Sequence, residues 1–288
     1  MKRKTNIDKK KLKKIHIYIR AVIQLLYFLL IPSAYTAAFA GTKYIFTQIG
    51  AGDQIQWNSF LAALLVLCGY TILFGRFFCG FACAFGSFGD FLNWAYRSIC
   101  KKIKKKPIKI NARITRVLIY LKYLILAAIL LCCFLGIYGN LRGTSPWDVF
   151  SMIHAGNLKL GSYIVGVILL ILLIIGMSIE ERFFCRFFCP MGAIFSILPM
   201  LAFFTLHRDR ENCLKGCKAC EKKCPAMVEL PTKGSLEVRG ECIQCQKCID
   251  TCPKSNVSCG VTKLKGNEIL FTLIRAVLLA VLLKIAGI

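Results

Sequence analysis

Histidine is scarce in this 288-residue chain, which has three histidines, none of them paired with another at helical spacing within an apolar run. This scarcity argues against a haem inside the protein, because haem iron commonly takes an axial ligand from histidine. The sequence also contains no Walker loop, no dinucleotide-binding glycine fingerprint and no Ser-His-Asp order. The chain is therefore not predicted to be a stand-alone catalyst with a substrate pocket of its own.

Acidic residues are also few, with 14 Asp and Glu against 39 Lys and Arg and a formal charge of +25. At the same time, 57% of the residues are hydrophobic. Soluble domains do not combine these properties, because long apolar runs need lipid and the charge then sits in short loops. The lysines lie beside the apolar runs, where anionic lipid headgroups are their natural counterions, so nucleic acid is not predicted as a partner. The sequence predicts an integral membrane protein.

The basic residues predict a multi-pass protein of the cell membrane. Residues 1–20 carry nine Lys or Arg against one Asp, and residues 76–116 carry ten against one. Under the positive-inside rule both segments stay in the cytoplasm, whereas the loops 41–58 and 139–159, which have few charges, lie outside. The predicted spans are 15–40, 59–74, 117–138, 160–178 and, at the C-terminal end, 269–288.

Two of the apolar runs have competing interpretations. An Ala-Phe-Ala sequence near the end of the run 15–40 resembles a signal-peptide cleavage site. An uncleaved helix is favoured, because the run is longer than an ordinary signal-peptide core. The run 183–205 is apolar enough to be mistaken for another crossing. Because it contains Arg186 and Pro190, an interfacial or partly re-entrant helix is predicted instead.

In the last run, 269–288, Arg275 and Lys284 are spaced so that they point to opposite sides of a helix. A helix that lies on the membrane surface collects its charges on one face. A fifth span is therefore predicted, with both side chains snorkelling toward the headgroups. A short hairpin into the inner leaflet is the alternative.

Cysteine is abundant, with 17 residues, and eight of them form two runs. The second run is C-x2-C-x2-C-x3-C-P, the pattern by which bacterial-type ferredoxins hold [4Fe-4S] clusters through four thiolates. The first run is the same pattern with one extra residue in its first interval. The cysteines are Cys213, Cys217, Cys220 and Cys224 in the first run, and Cys242, Cys245, Cys248 and Cys252 in the second.

Two runs of this kind predict a two-cluster domain, in which each run gives its fourth cysteine to the other cluster. The first cluster then takes three cysteines of the first run and Cys252, and the second takes three of the second run and Cys224. Cys259, just beyond the second run, is an alternative to the irregularly spaced Cys213. A zinc ribbon is disfavoured because zinc needs two cysteines per half and leaves the C-x3-C-P extensions unexplained. Disulfides are disfavoured because the predicted topology puts these thiols in the reducing cytoplasm.

A repeat with an offset of 106 residues runs through the membrane part. RFFCGFACAFGSFG begins at Arg76 and RFFCRFFCPMGAIF begins at Arg182. Each copy follows a predicted pair of spans, so a membrane α-helical fold is predicted, with a duplicated two-helix unit and a cytoplasmic two-cluster ferredoxin domain. The predicted boundaries are 1–14 for the basic N-terminus, 15–116 and 117–206 for the repeats, 207–265 for the ferredoxin domain and 266–288 for the C-terminal helix.

Each copy carries a pair of cysteines at C-x3-C spacing, which puts both sulfurs on one face of a helix. If the repeats pack about a common axis, four thiolates converge, and four is the ligand count of an iron-sulfur cluster. A third cluster is one interpretation, and a redox-active thiol pair or buried packing residues are the others. For Arg76 and Arg182, snorkelling is favoured over balancing the charge of such a site. The four cysteines, called the quartet below, are Cys79, Cys83, Cys185 and Cys189.

These motifs resemble the membrane ferredoxins of the NapH and NosR type, which are quinol-dehydrogenase-like electron-transfer proteins of respiratory systems. In that family, C-x3-C-P motifs end transmembrane helix pairs and a two-cluster ferredoxin module follows on the cytoplasmic side. The resemblance covers residues 15–260. The motif is complete from Cys185 to Pro190 and reduced from Cys79 to Ala84, where alanine replaces the usual proline.

The resemblance implies one-electron transfer between a cytoplasmic donor or acceptor and a partner in or across the membrane. The chain would then be a redox subunit of an oxidoreductase or quinol-dehydrogenase-like complex. The implied partners are a quinone, or an extracytoplasmic flavin or haem protein that meets the outer loops near Trp147 and His154. The alternative function is assembly of a metal centre, or sensing of redox state, with the same clusters.

Overall fold

The structure is a computed structural model that describes residues 2–108, 110–141, 143–157, 161–201, 205–208, 211, 213–228, 236–237, 240–260 and 268–288. Helices dominate these residues. Parts of the predicted ferredoxin domain, among them 229–235 and 261–265, lie outside the described residues.

The first apolar run forms two helices instead of one. Helix α1 covers Lys2–Leu30, helix α2 covers Ala34–Ala51, and the pair is bent by 59°. The break falls at Pro32, because proline lacks a backbone donor and its ring clashes with the preceding turn. The predicted span 15–40 is therefore bent at Pro32 and remains one candidate span only if both helices cross the membrane together. The prediction of a loop over 41–58 is wrong for residues 41–51, because α2 continues to Ala51.

The next elements lead to the first Cys pair. Helix α3 spans Ser59–Phe74, as predicted, and the Asn58 side chain caps it by accepting a hydrogen bond from the Leu61 N–H at 2.8 Å. The helix ends at Gly75, whose φ of 69° favours glycine. A turn of π-helix and a longer helix follow, Phe78–Ala82 and α4 at Ala84–Lys102.

The second repeat has helices of the same kind. The predicted outer loop 139–159 is partly helical, and the run 183–205 forms two short helices separated at Cys189 rather than one. The helices are α5 at Ala112–Leu118, α6 at Leu121–Phe134, α7 at Pro146–His154, α8 at Ile164–Ile179, α9 at Phe183–Phe187 and α10 at Pro190–Ile197.

The offset of 106 residues relates whole elements and not only motifs. Helix α8 starts within one residue of the position equivalent to the start of α3, and α10 starts at the position equivalent to the start of α4. Helix α1 packs against the first motif and α4, and α6 packs against the equivalent α9 and α10. The duplicated unit is therefore larger than the predicted two helices.

Two helices among the described residues are long and apolar enough to cross a membrane, Arg113–Phe134 and Gly161–Ile179. A third candidate arises if Lys11–Leu30 and Ala34–Ala51 form one broken span. Helix α3 is apolar but has 16 residues. At 1.5 Å per residue it is about 24 Å long, shorter than a hydrocarbon core of about 30 Å. The count of four or five spans stays a prediction.

A small sheet and two short helices carry the ferredoxin runs. Strand β1, Thr205–Arg208, lies between β2, Leu236–Glu237, and β3, Val257–Gly260, and pairs antiparallel with both. Each cysteine run contains one short helix, α11 at Ala219–Lys223 and α12 at Lys247–Thr251. These two helices pack against each other, which fits two related halves.

The last helix, α13, covers Glu268–Ile285 and runs antiparallel to α3. The Arg275 carbonyl accepts a hydrogen bond from Tyr70 Oη at 2.9 Å. At the other end of α3, Ser59 lies beside Gly287. Helix α13 therefore follows α3 along most of its length.

The side chain of Arg275 is fully buried, which makes the prediction that it snorkels wrong. Its guanidinium donates to Gln244 Oε1 at 2.8 Å and to Cys259 Sγ at 3.2 Å. It also stacks over the Phe77 ring at 4.5 Å. The charge stays inside the protein because the ferredoxin domain supplies acceptors there, and such partners lower the cost of burying a cation.

Candidate functional site

The four cysteines of the quartet lie in one buried site. Burial raises the pKa of Cys83, and the other three thiols of the quartet raise it further. Burial, followed by Cys185 and Cys79, likewise raises the pKa of Cys189. Thiols affect each other in this way only at short range. The structure therefore brings the two pairs together across the repeats.

Each pair ends at the N-terminus of a helix. Cys189 is the N-cap of α10, and the Gly192 N–H donates to its Sγ at 3.1 Å. Cys83 is the N-cap of α4, and the Gly86 N–H opposes the rise in its pKa that burial causes. Backbone donors and the positive end of a helix dipole both favour a thiolate. Each repeat thus places one cysteine of its pair at a helix N-cap, and the Cys189 Sγ makes the capping hydrogen bond.

The two arginines of the repeat are buried, so the prediction that they snorkel is wrong. Arg182, 2% exposed, donates to the carbonyl oxygens of Cys79 and Gly80 in the first repeat, the latter at 2.9 Å. Arg76, 1% exposed, reaches the second repeat, where a Cβ added to Gly192 would lie 3.1 Å from its Nη2. Both guanidiniums remain inside because each finds backbone acceptors or carboxylates there.

Asp90 forms an ion pair with Arg182 beside the quartet, at 3.0 Å from Nε and 2.5 Å from Nη2. Burial would raise the pKa of Asp90, but Arg182 and Lys247 outweigh it and hold that pKa below its usual value. Gln24 donates to the same carboxylate at 3.1 Å and to the Gly80 carbonyl at 3.0 Å. The ion pair fixes the Arg182 guanidinium against the backbone of the first Cys pair.

Aromatic rings cover the quartet on the side of α2. Tyr35 Oη lies 3.9 Å from Cys189 Sγ, and its ring meets Phe184 edge-on. Trp147 packs against Phe39 and Phe184, and it is buried. The expectation that Trp147 meets an external partner is therefore wrong for this side chain. The rings separate the thiols from that side of the protein.

The ferredoxin cysteines form two groups. Burial raises the pKa of Cys245 to about 12, and Cys224 of the other run adds to this rise. Burial also raises the pKa of Cys242 to about 12, again with Cys224 as a neighbour. Cys224 therefore lies with the second run, where the exchange of fourth cysteines requires it.

The other group joins Cys252 to the first run. The Asn256 backbone N–H donates to Cys252 Sγ at 3.2 Å, and its side-chain amide donates to Cys213 Sγ at 3.6 Å. Arg208 Nη1 lies 3.8 Å from Cys220 Sγ. Cys259 packs in the same buried cluster as Cys252, and its Sγ accepts a hydrogen bond from the guanidinium of Arg275 in α13.

Within the described parts of the chain, no group of three or more His, Cys, Asp or Glu side chains is arranged to hold a single metal ion. A [4Fe-4S] cluster needs a wider arrangement of ligands than a single metal ion, because each of its four thiolates binds a different iron. The two ferredoxin groups and the quartet each offer four thiols, so the donor sets fit clusters of this kind.

The close contact of the ferredoxin domain with the candidate membrane helices was not predicted from the sequence. Lys122 lies inside the candidate span Arg113–Phe134 and is fully buried, with its Nζ 2.6 Å from Glu241. His16 of α1 bridges Asp250 and Gln246, at 2.7 Å from each. Lys122 could have indicated this contact from the sequence alone, because a charge within an apolar run needs a partner.

Sequence comparison matches these motifs to a known domain. The 4Fe-4S binding domain family matches residues 57–107 and 163–203. The two matches start 106 residues apart and contain one Cys pair of the quartet each, whereas neither reaches the ferredoxin runs. This double match confirms the duplication.

Similar proteins occur in archaea and bacteria. An uncharacterized protein of Methanocaldococcus jannaschii, MJ0750, is 31% identical over 244 residues, which are 83% of this chain and 94% of that protein. The putative electron transport protein YccM of Escherichia coli is 28% identical over 226 residues, 74% of this chain and 59% of YccM. The ferredoxin-type protein NapH of Haemophilus influenzae is 26% identical over 202 residues, 67% of this chain and 64% of NapH. No solved structure matches the chain.

Proposed function

Because the chain belongs to the family of NapH- and NosR-type membrane-bound ferredoxin-like 4Fe-4S electron-transfer proteins, we propose that it passes single electrons between a cytoplasmic redox partner and a membrane quinone. Iron-sulfur clusters supply reversible one-electron oxidation and reduction when bound. The chain's own residues hold them, balance their charge and exclude water.

Three cysteine sets would hold the clusters. Two are the ferredoxin sets, each with three cysteines of one run and one of the other. The third is the quartet. The observation that carries this part of the proposal is the meeting of four buried thiols from two repeats, each repeat being a match to a 4Fe-4S binding domain. Arg76 and Arg182 would balance the negative charge of thiolates there.

The proposed side for the ferredoxin domain is the cytoplasm. Support comes from α1, whose N-terminal part is strongly basic and is expected to remain inside. Lys13 donates to the Cys252 carbonyl, and Arg20 donates to Asp250 Oδ2 at 3.1 Å. A helix that begins on the cytoplasmic side thus holds the ferredoxin domain on that same side.

The proposed quinone site is a groove between α1 and α4. Its volume is about 730 Å³, within the range of roughly 300–1,000 Å³ that is usual for small-molecule pockets. Its apolar wall includes Tyr18, Phe28, Phe91 and Trp94. Tyr18, Phe91 and Trp94 are exposed, as side chains in contact with lipid would be. Such a groove suits an isoprenoid tail that enters from the bilayer.

One wall of the groove is polar. It is formed in part by Gln24, Asp90 and Ser87. Among the described residues, the buried Ser87 Oγ has no hydrogen-bond partner, so it is free to donate to a quinone carbonyl. Gln24 and Asp90 are also linked to the surroundings of the quartet. Gln24 donates to the Gly80 carbonyl, and Asp90 accepts from Arg182. A quinone ring in this groove would therefore lie beside the quartet.

Metal analysis tests the proposal. Protein purified without oxygen should hold about twelve iron and twelve acid-labile sulfide per chain, as three four-iron clusters require. The double variant Cys83→Ser, Cys189→Ser should fall to about eight, with loss of one electron paramagnetic resonance signal. The control is Cys68→Ser, Cys132→Ser, which removes two cysteines outside all three sets. Equal metal content and equal electron-transfer rates in both variants would reduce the quartet to packing residues, and stoichiometric zinc would rule out the ferredoxin clusters.

A further inference from the structure

Residues 240–246 of the ferredoxin domain, called the docking segment here, lie between the two membrane repeats. Arg76 Nη1 donates to the Gly240 carbonyl at 2.9 Å. Lys122 and Tyr123 of α6 both bond the Glu241 carboxylate, at 2.6 Å and 3.0 Å. The segment includes Cys242 and Cys245, so the second ferredoxin set is carried directly against the membrane part.

A close approach of the two backbones occurs at Gly80, which lies between Cys79 and Cys83 of the quartet. A Cβ added to Gly80 would lie 2.5 Å from the Ile243 carbonyl oxygen and 3.3 Å from the Cys245 Cα. Both neighbours are backbone atoms, which cannot rotate away as a side chain can. Only glycine therefore lets the two backbones come this close.

The equivalent position of the second repeat also faces the second ferredoxin set. Gly80 corresponds to Arg186, which is buried. Arg186 Nη2 lies 2.9 Å from Met227 Sδ, three residues after Cys224. Cys224 is the ligand that the first run gives to the second set. The second set thus approaches both equivalent positions, through the Cys245 backbone at Gly80 and through Met227, which follows Cys224, at Arg186.

The first ferredoxin set also makes contacts outside this junction. Cys213 and Cys217 are half-buried. The described contacts of Cys213 and Cys252 include Asn256 and Lys13, which belong to the ferredoxin domain and to the cytoplasmic end of α1. The first set is therefore placed to face a cytoplasmic partner.

We propose that the second ferredoxin set is the redox neighbour of the quartet, and that Gly80 is the positioning residue that makes this contact possible. The inference rests on the proposed function, since it needs a redox centre at the quartet. A single electron leaves the second set as the quartet gains it, and no proton or bond change is required. The order of the sites is then first set, second set, quartet.

Magnetic coupling tests the order. In fully reduced wild-type protein, the resonance signal of the quartet centre should be broadened by its neighbour. Cys245→Ser, which disrupts the second set, should remove this broadening, whereas the matched Cys217→Ser, which disrupts the first, should leave it. A protein without a third signal would sink the proposed quartet centre itself. A third signal that couples to the first set, or to neither, would overturn the order alone.

A glycine pair tests the role of Gly80 without removing a ligand. Gly80→Val should force the docking segment away, so that amides 240–246 exchange hydrogen several-fold faster and the magnetic coupling weakens. Gly69→Val is the matched control, because a Cβ at Gly69 meets no atom within 4 Å. Unchanged coupling and exchange in a folded Gly80→Val protein with full iron content would refute the positioning role.

Discussion

The guanidinium of Arg182, in the second repeat, donates to the carbonyl oxygen of Cys79, in the first. Arg76 makes the reciprocal approach to the second repeat at Gly192. The repeats are therefore held together at the quartet by two arginine side chains, each of which reaches from its own repeat into the other.

Replacement of Arg182 by Met should destabilise the fold. The change leaves Asp90 buried without its main partner, and breaking a buried ion pair from one side costs about 3–5 kcal/mol. Thermal unfolding in detergent measures the loss. Arg116→Met is the control, since Arg116 is exposed. The double variant Arg182→Met, Asp90→Asn should recover part of the stability, and no recovery would mean that the pair is not the main cause.

Cys213 should be a cluster ligand and Cys259 should not. Asn256 donates hydrogen bonds to the Sγ atoms of both Cys213 and Cys252, whereas the Cys259 Sγ accepts from Arg275. Cys213→Ser should therefore lower iron by up to four atoms per chain, the content of one cluster. Cys259→Ser should leave iron unchanged. The reverse pattern would show that the ninth cysteine replaces the irregular one.

A short-tailed quinone should bind in the groove and quench the fluorescence of Trp94. Trp94→Phe should remove most of this quenching, and Trp57→Phe should not, because Trp57 is exposed outside the groove. Ser87→Leu should weaken binding by about 0.5–1.5 kcal/mol, the worth of one hydrogen bond. Saturable quenching that survives Trp94→Phe would place the quinone elsewhere.

Reporter fusions at three sites test the predicted topology. Fusions after Asn58 and Asn140 should report the outside, and a fusion after Lys233, which is outside the described residues, should report the cytoplasm. The physical reason is the excess of Lys and Arg at the N-terminus and in residues 76–116. An outside signal at Lys233 would mean that residues 183–205 cross the bilayer.

Local patterns in the sequence predicted much of this molecule. The start and end of α3, the 106-residue repeat and the two cysteine runs all depend on short-range spacing, so they were readable. The burial of Arg76, Arg182 and Arg275 could not be predicted in this way. An arginine is buried instead of snorkelling only where residues distant in the chain supply partners for its guanidinium. Asp90 and Gln244 are such partners, and both lie far away in the chain.

Helix breaks at proline show the same limit. Pro32 was visible within the first run, but its effect depends on whether neighbours stabilise a bend. Here α1 continues along α4 and the ferredoxin domain, while α2 turns to pack against α3. The bend therefore depends on the different contacts of α1 and α2, and these contacts cannot be predicted from the local sequence around Pro32.

The difference between Gly80 and Arg186 has a consequence for the ancestry of the chain. A symmetric ancestor made of two identical halves would have had the same residue at both positions. Two arginines would have kept the ferredoxin backbone from approaching, and two glycines would have left Met227 and Glu180 without their present cation. Once the copies diverged here, the halves ceased to be interchangeable. Separately expressed halves should therefore reassemble only as unlike pairs.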